Sequence, residues 1–99
     1  RPWRNPDMRI VALADLLQMN RTTLSRLFQE QGYKGGYKEF INRHRIADFL
    51  ELMDKHPHTN MQDAFFEAGY RSRMTALRNF KEYMGMGPSE YLSNKTKEE

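Results

Sequence analysis

The chain has 99 residues, with 16 lysines and arginines against 13 aspartates and glutamates, and a formal net charge of +3. This length suits one domain and leaves no room for a second, enzyme-sized core. The absence of cysteine excludes disulfides and thiolate zinc sites and is compatible with a reducing compartment. The apolar runs are far too short for a membrane span, and the first residues do not form a signal peptide. We expect the domain to be cytoplasmic. Because the chain does not begin with methionine, we also expect it to be a piece of a longer protein.

Apolar residues recur three or four apart and nowhere alternate as in a strand, which predicts an all-α fold. Asp7 is a candidate N-cap for a first helix over about 8–18. Asn20 is a candidate cap for a second helix over 21–31, which ends near Gly32.

The second half of the chain continues the helical pattern. A glycine pair marks a loop before a long helix over roughly 37–55, and Pro57 stops that helix. Further helices are predicted from 61 to 68 after a cap at Asn60, and from 73 to 84 between Ser72 and Gly85. Pro88 starts a short last helix through Leu92, followed by a polar tail that we expect to fray.

Two segments of the chain resemble each other, residues 20–28 and residues 72–80. Each opens with a helix-capping residue, carries arginines and small or polar side chains without an acid, and ends Arg-x-Phe. Each follows a short, mostly apolar segment, at 10–17 and 61–68. This layout is typical of a helix-turn-helix unit, in which a first helix supports a second helix that enters the major groove of DNA.

Arg26 and Arg78 both lie two residues before a phenylalanine predicted to be buried, Phe28 and Phe80. They should therefore project from equivalent surfaces of the two recognition helices, where arginine can bond guanine with two hydrogen bonds. The long helix would span about 28 Å, and successive major-groove faces lie about 34 Å apart. A rigid linker of this length can hold both units on one side of a duplex.

The candidate DNA-contacting residues are polar and basic side chains of the two recognition helices, with one methionine. They are Arg21, Thr22, Thr23, Ser25, Arg26, Ser72, Arg73, Met74, Thr75, Arg78 and Lys81. Each has an ordinary alternative, because arginines, small polar residues and lysines are common on any solvated helix. Met74 and Thr75 either contact a thymine methyl group or merely pack. Leu77 interrupts the polar face, so we expect more apolar contact from the second unit and a better-defined first half-site.

Other function classes find less support in the residues. No nucleophile with a partnered base, phosphate loop or pair of carboxylates is present, so we predict neither catalysis nor a cofactor. His56 and His58 flank a proline with no third ligand close in sequence, so we assign no metal site. The alternative from a different class is a helical protein-interaction module whose basic helices meet an acidic partner. The concentration of Arg, Ser and Thr at groove-facing positions favours DNA.

One set of residues carries a resemblance to a known family. It consists of Leu13-Ala14 and Leu24-Ser25-Arg26-Leu27-Phe28 in the first unit, Phe40-Ile41, Arg45-Ile46 and Phe49-Leu50 in the long helix, and Gly69-Tyr70, Ser72, Arg78, Phe80-Lys81, Gly85 and Pro88-Ser89-Glu90-Tyr91 in the second unit. With these residues the chain resembles the DNA-binding domain of the AraC/XylS family of bacterial transcription regulators. The resemblance covers about residues 8–92, which leaves 1–7 as a linker remnant and 93–99 as a polar tail.

The resemblance implies sequence-specific binding of double-stranded DNA to regulate transcription, with one recognition helix of each unit in successive major grooves. It implies a sensor or dimerisation region elsewhere in the protein, RNA polymerase as a candidate partner, and a monomeric isolated domain. It also implies that Arg45 is a structural, ion-pairing residue. An extra helix often precedes the first unit in this family, and we expect it to be lacking here or reduced to a remnant.

Three residues depart from the family pattern. Phe65 stands where alanine is usual, Ala64 where a larger aliphatic residue is usual, and Ala76 where an aromatic or large apolar residue is usual. We interpret them as one coupled change, in which Phe65 fills the space left at Ala76. The change bears on the tilt of the second recognition helix.

Overall fold

The computed structural model describes the backbone of residues 1–98 and the side chains of residues 1–95. This described part consists of six α-helices and one 3-10 turn, with no strand, which confirms the all-α prediction. The helices are α1 (Ile10–Leu16), α2 (Arg21–Glu30), α3 (Gly36–Lys55), α4 (Met61–Glu67), α5 (Arg73–Met84) and α6 (Pro88–Glu98). Residues 1–7, predicted as a linker remnant, include the 3-10 turn Pro2–Arg4, which packs on α3.

Three predicted N-caps are confirmed by side-chain hydrogen bonds. Asn20 Oδ1 accepts from the backbone N–H of Thr23 at 2.7 Å, and Asn60 Oδ1 accepts from that of Gln62 at 2.8 Å. The Ser72 hydroxyl accepts from the N–H of Thr75 at 3.3 Å. Each bond satisfies a donor that the first turn of a helix would otherwise leave unpaired.

The predicted cap of the first helix is wrong. Helix α1 begins at Ile10, with Arg9 at the N-cap position and no capping side chain. The carboxylate of Asp7 instead forms an ion pair with Arg71, in the turn before α5. A long-range contact has therefore taken the group that local sequence assigned to capping.

The predicted frayed tail is also wrong for the residues that can be described. Helix α6 continues from Pro88 to Glu98 rather than ending near Leu92. The ring of Tyr91 packs edge-on against Phe80, with the centroids 5.7 Å apart, and Lys95 Nζ lies 3.9 Å from a carboxylate oxygen of Asp54. Position 99, the last of the predicted tail, lies outside the described residues.

Two separate apolar cores hold the two units, and α3 packs on both. The first core consists of Leu13, Ala14, Leu24 and Phe28, with Phe40 of α3 packed against it. Leu27, which shares the apolar spacing of α2, is only half-buried. The second core brings together Ile46 and Phe49 of α3, Ala64, Phe65 and Ala68, Tyr70, and Ala76 and Phe80 of α5. The molecule is accordingly elongated, with extents of 44 × 23 × 23 Å.

The departure from the family pattern lies at the centre of the second core. Phe65 is stacked on Phe49, with 3.8 Å between the ring centroids and 6° between the ring planes. It meets Phe80 and Tyr70 edge-on. Ala76 is fully buried in the same core, as the coupled interpretation requires.

A buried polar network ties α5 to the middle of α3. The side-chain oxygen of Asn42 accepts from the hydroxyl of Tyr70 at 2.9 Å and from the amide of Asn79 at 3.0 Å. The amide nitrogen of Asn42 donates to the Lys38 carbonyl at 2.9 Å. Fully paired buried polar groups of this kind fix a single arrangement of the helices around them.

Candidate nucleic-acid interface

Helix α2 presents a polar face above its buried anchors. Arg21, Thr22, Ser25 and Arg26 are exposed, and Thr23 is half-buried beside the cap. The opposite face carries the buried anchors Leu24 and Phe28. Because the apolar residues of α2 recur three or four apart, they lie on one face of the helix, and burying that face leaves the polar face outward.

Helix α5 repeats this arrangement in the second unit. Arg73, Met74, Arg78 and Lys81 are exposed, and Thr75 is half-buried. Met74 is 80% exposed, so its side chain is not a core contact. The packing alternative for Met74 therefore finds no support, whereas Thr75 is partly buried.

The two arginines expected to be equivalent occupy the same place on their helices. Arg26 is the sixth residue of α2 and Arg78 the sixth residue of α5. Each lies two residues before a buried phenylalanine, Phe28 or Phe80, and each is exposed. The same anchor therefore orients the same cationic side chain in both units.

The surroundings of the two arginines differ in charge. Arg26 Nε lies 3.9 Å from a carboxylate oxygen of Glu30, one turn further along α2, and both side chains are largely exposed. Among the described side chains, no carboxylate is paired with Arg78. An exposed pair at this distance contributes about 0–1 kcal/mol, so Arg26 can exchange Glu30 for another partner at little cost.

Ser72 stands apart from the other candidates, because its hydroxyl oxygen is engaged in capping α5. A serine in this role fixes where the helix begins and directs the free N–H groups of its first turn outward. Such groups and the helix dipole favour a phosphate oxygen.

Leu77 does not lie on the exposed polar face. It is half-buried, packs against the second core and lines an open groove of about 690 Å³ between α4, α5 and the start of α6. Arg73 lines the same groove. The expectation of a weaker second half-site depended on an exposed Leu77, and the structure removes that basis.

Arg45 is a structural residue, but its partners are not the predicted carboxylate. Its Nε donates to the Trp3 carbonyl at 2.8 Å and its Nη2 to the Asn5 carbonyl at 3.1 Å. Its guanidinium lies 5.5 Å from the ring centroid of Tyr70. Burial lowers the pKa of Arg45, against the opposing influence of two tyrosines.

The residues that receive these bonds were not singled out from the sequence. Residues 1–7, here called the N-terminal strap, lie along α3 and bring Arg1, Trp3 and Arg4 to the carboxylate of Asp48. Burial alone would raise the pKa of Asp48, but hydrogen bonds from Arg4 and Trp3 and the nearby arginine charges hold it below its usual value. The sequence did contain one indication of this contact. Asp48 lies between the apolar residues Ile46 and Phe49 on the buried side of α3, and the basic and aromatic segment at residues 1–4 could supply its partners.

Two further properties concern the described residues as a whole. None of their helices combines the length and apolar character that a bilayer crossing requires. None of their histidine, aspartate and glutamate side chains form a group of three or more suited to a metal ion.

Residues 13–94 match a protein family described as "Helix-turn-helix domain", an AraC-type unit. A solved structure of a protein of unknown function from Listeria innocua aligns with 90% of this chain and 82% of its own, at a TM-score of 0.71 and 22% identity. At that identity the likeness shows the fold alone. No curated protein matches the chain significantly. Because the family match spans both helix-turn-helix units and the helix between them, the chain belongs to the AraC/XylS family of DNA-binding domains.

Proposed function

We propose that this domain recognises one asymmetric duplex sequence by placing α2 and α5 in successive major grooves. DNA binding in transcription regulation follows from the family, which is not a family of enzymes. The proposal concerns how the DNA sequence is recognised. One observation carries it, the exposed arginine at the same position of two capped helices, Arg26 in α2 and Arg78 in α5.

The side chains around each arginine supply complementary chemistry. Arg26 and Arg78 would bond the acceptor edge of guanine, which is the commonest specific contact in the major groove. Thr22 and Ser25 would bond base edges or phosphates beside Arg26. Arg21, Arg73 and Lys81 would contact phosphates, and Met74 would meet a thymine methyl group. Ser72 would act through the cap that orients the start of α5.

The dimensions of the molecule support a site two grooves long. Helix α3 has 20 residues and is therefore about 30 Å long, and the whole molecule extends over 44 Å. Successive major-groove faces of a duplex lie about 34 Å apart. An elongated domain with one recognition helix in each unit suits this spacing.

The two recognition helices differ in sequence, so the site should not be a palindrome. The exposed face of α2 offers hydroxyl groups at Thr22 and Ser25, whereas α5 has Met74 and the half-buried Leu77 at the corresponding positions. One monomer would then read two unlike half-sites. RNA polymerase and a sensor or dimerisation region remain proposals that rest on the resemblance alone.

The test is selection of genomic fragments with the purified domain, followed by footprinting of the enriched site. We expect one domain per site, with protection of two adjacent major grooves on one face and no internal dyad. A complex that protects a single groove would contradict the two-unit reading. Enrichment without sequence preference, together with capture by an acidic protein, would favour the interaction-module alternative.

A further inference from the structure

We propose that the N-terminal strap is a second tie between the two helix-turn-helix units, and that it fixes the orientation of α2 relative to α5. The first tie is α3, on which both units pack. The functional consequence rests on the proposed two-groove recognition, but the orientation itself can be measured without DNA.

The strap is fastened to the middle of α3 through one buried carboxylate. Asp48 is 3% exposed, and its two oxygens accept three hydrogen bonds from the strap. Arg1 donates at 2.5 Å, the Trp3 indole at 2.6 Å and Arg4 Nε at 2.6 Å. Removing these donors would leave a charged acceptor buried without partners, which is strongly unfavourable. The strap is therefore a bound segment of the fold.

On one side the strap contacts the second unit. Gly69, in the turn between α4 and α5, has φ +117, and a Cβ placed there would lie 2.1 Å from the Trp3 carbonyl oxygen. The same oxygen accepts from Arg45, whose guanidinium covers the ring of Tyr70 in the second core. The ion pair between Asp7 and Arg71 adds a contact at the turn that leads into α5.

On the other side the strap reaches the first core through a series of rings. The Trp3 indole stacks on His44, with the centroids 4.5 Å apart and the planes 25° apart. His44 meets Phe40 at 4.4 Å, and Phe40 meets Phe28 at 4.8 Å. Phe28 is the buried anchor of α2.

The strap also runs directly into α1, and it is held where it does so. The hydroxyl of Tyr37, near the start of α3, donates to the carbonyl of Met8 at 2.7 Å. Met8 and Ile10 pack against the first core. The strap therefore connects the first unit, into which it leads at α1, with the turn between α4 and α5 of the second unit. This connection exists in addition to the one that α3 makes.

A second tie has a mechanical consequence that ordinary stabilisation lacks. A single helix can bend gently along its length, and each unit could tilt on the end of α3 that it covers. Fastening the strap to both units at once restricts that tilt. Releasing it should loosen the relative orientation of the recognition helices while each unit keeps its own core.

The first measurement is the distance between the two recognition helices in free protein. Because the chain lacks cysteine, Gln29→Cys in α2 and Glu82→Cys in α5 introduce two exposed positions for spin labels. We expect Trp3→Ala and Asp48→Asn to broaden the distance distribution relative to the unsubstituted strap. The control is Ile41→Val, which removes one buried methylene group from α3 and leaves every strap residue and Asp48 unchanged.

The second measurement is tolerance to the spacing of the two half-sites. Inserting one base pair rotates one half-site by about 35°. We expect this insertion to weaken binding about tenfold, equivalent to about 1.4 kcal/mol, with the intact strap. With Trp3→Ala the same insertion should weaken binding about two- to threefold. Ile41→Val should behave like the intact protein.

The two measurements distinguish a failure of the proposed tie from a failure of the proposed function. An unchanged distance distribution in variants that circular dichroism shows to be folded would overturn the tie and reduce the strap to a stabilising segment. Failure to bind any duplex would remove the proposed function and leave the distance measurement to decide the tie. If Trp3→Ala or Asp48→Asn does not fold, Arg4→Ala removes only one of the three donors to Asp48. The distance measurement on that variant then gives the same decision.

Discussion

Arg26 and Arg78 are the side chains on which sequence recognition is expected to depend most. Replacing either by alanine should weaken the selected site by about 1–3 kcal/mol and relax the preference at one or two base pairs. Lys81→Ala should weaken binding to all duplex sequences by a similar factor. It should also lower the salt dependence of binding by about one released counterion. Titration against a randomised site library at several salt concentrations separates the two outcomes. Retention of full sequence preference by both arginine variants would show that the base contacts lie elsewhere.

Gln18 adopts a backbone conformation that suits glycine. Its φ is +56, and it is the only residue other than glycine with positive φ among those described. Gly69 occupies the equivalent turn of the second unit. In both turns the N–H groups of two successive residues bond back to the preceding helix, those of Gln18 and Met19 and those of Gly69 and Tyr70. The left-handed conformation costs roughly 1–2 kcal/mol for a residue with a Cβ atom.

Gln18→Gly should therefore raise the free energy of unfolding by about 1 kcal/mol, part of the relieved strain being offset by the greater freedom of glycine in the unfolded chain. Chemical denaturation measures the change. Gln18→Ala is the matched control, because it removes the side chain and keeps the strained Cβ. Equal stabilisation by both substitutions would mean that the gain did not come from backbone conformation.

His44 gives the stability of the domain a component that depends on pH. Burial against Trp3 and Phe40 lowers the pKa of His44 below 6.5, although the charge of Asp48 acts in the opposite direction. The unfolded chain therefore binds the proton more readily than the folded chain does. This contribution is present in full above about pH 6.5 and is lost as the pH falls through the folded-state pKa.

We accordingly expect the free energy of unfolding to fall between about pH 7.5 and pH 5.5. His44→Phe keeps a ring between Trp3 and Phe40 and removes the titrating group, so its stability should fall less over the same range. Denaturation at the two pH values measures both slopes. Identical slopes for the two proteins would assign the pH dependence to other groups.

At the scale of the elements, the two units bury residues at corresponding positions of their helices, but the side chains at these positions differ in size. The first unit buries Leu13 and Ala14 in α1 and Leu24 in α2. The second buries Ala64 and Phe65 in α4 and Ala76 in α5. The supporting helix of the second unit thus has its large residue one position later, where the first unit has Ala14, and its recognition helix has alanine where the first unit has Leu24. This comparison within one chain supports the coupling of Phe65 with Ala76.

Phe65→Ala should lower the free energy of unfolding by about 3–5 kcal/mol, because it opens a cavity beside Phe49 in the fully buried second core. Adding Ala76→Phe should recover part of that loss, since the new ring would occupy the vacated space. A double-mutant cycle by chemical denaturation measures the interaction. Strict additivity of the two changes would contradict the coupled interpretation.

At the scale of the whole molecule, the spacing of the two units should make binding depend on helical phase. Five additional base pairs between the half-sites turn one of them to the far side of the duplex. Binding should then fall sharply, because reaching both sites would require bending the DNA, at about 1–6 kcal/mol, or releasing one unit. Ten additional base pairs, the control, restore the phase but lengthen the site. Undiminished binding after the five-base-pair insertion would argue against simultaneous contact by α2 and α5.

The sequence by itself determined the features that depend on neighbouring residues. Caps at Asn20, Asn60 and Ser72 and the left-handed Gly85 were predictable, because each bonds or turns the chain within a few positions. Helical periodicity likewise separated the buried phenylalanines from the exposed arginines of α2 and α5. These features were enough to recognise two helix-turn-helix units and a linking helix.

The tertiary structure decided what depends on distant parts of the chain. The three donors to Asp48 lie between 44 and 47 positions before it in the sequence. Asp7 forms an ion pair with Arg71 instead of capping α1. Leu77 is drawn towards the second core, and Arg45 binds carbonyls of the strap instead of a carboxylate. Local pattern cannot specify such pairings, because many acids, bases and carbonyls are equally available in sequence. Only the packing of the strap and both units on α3 selects among them.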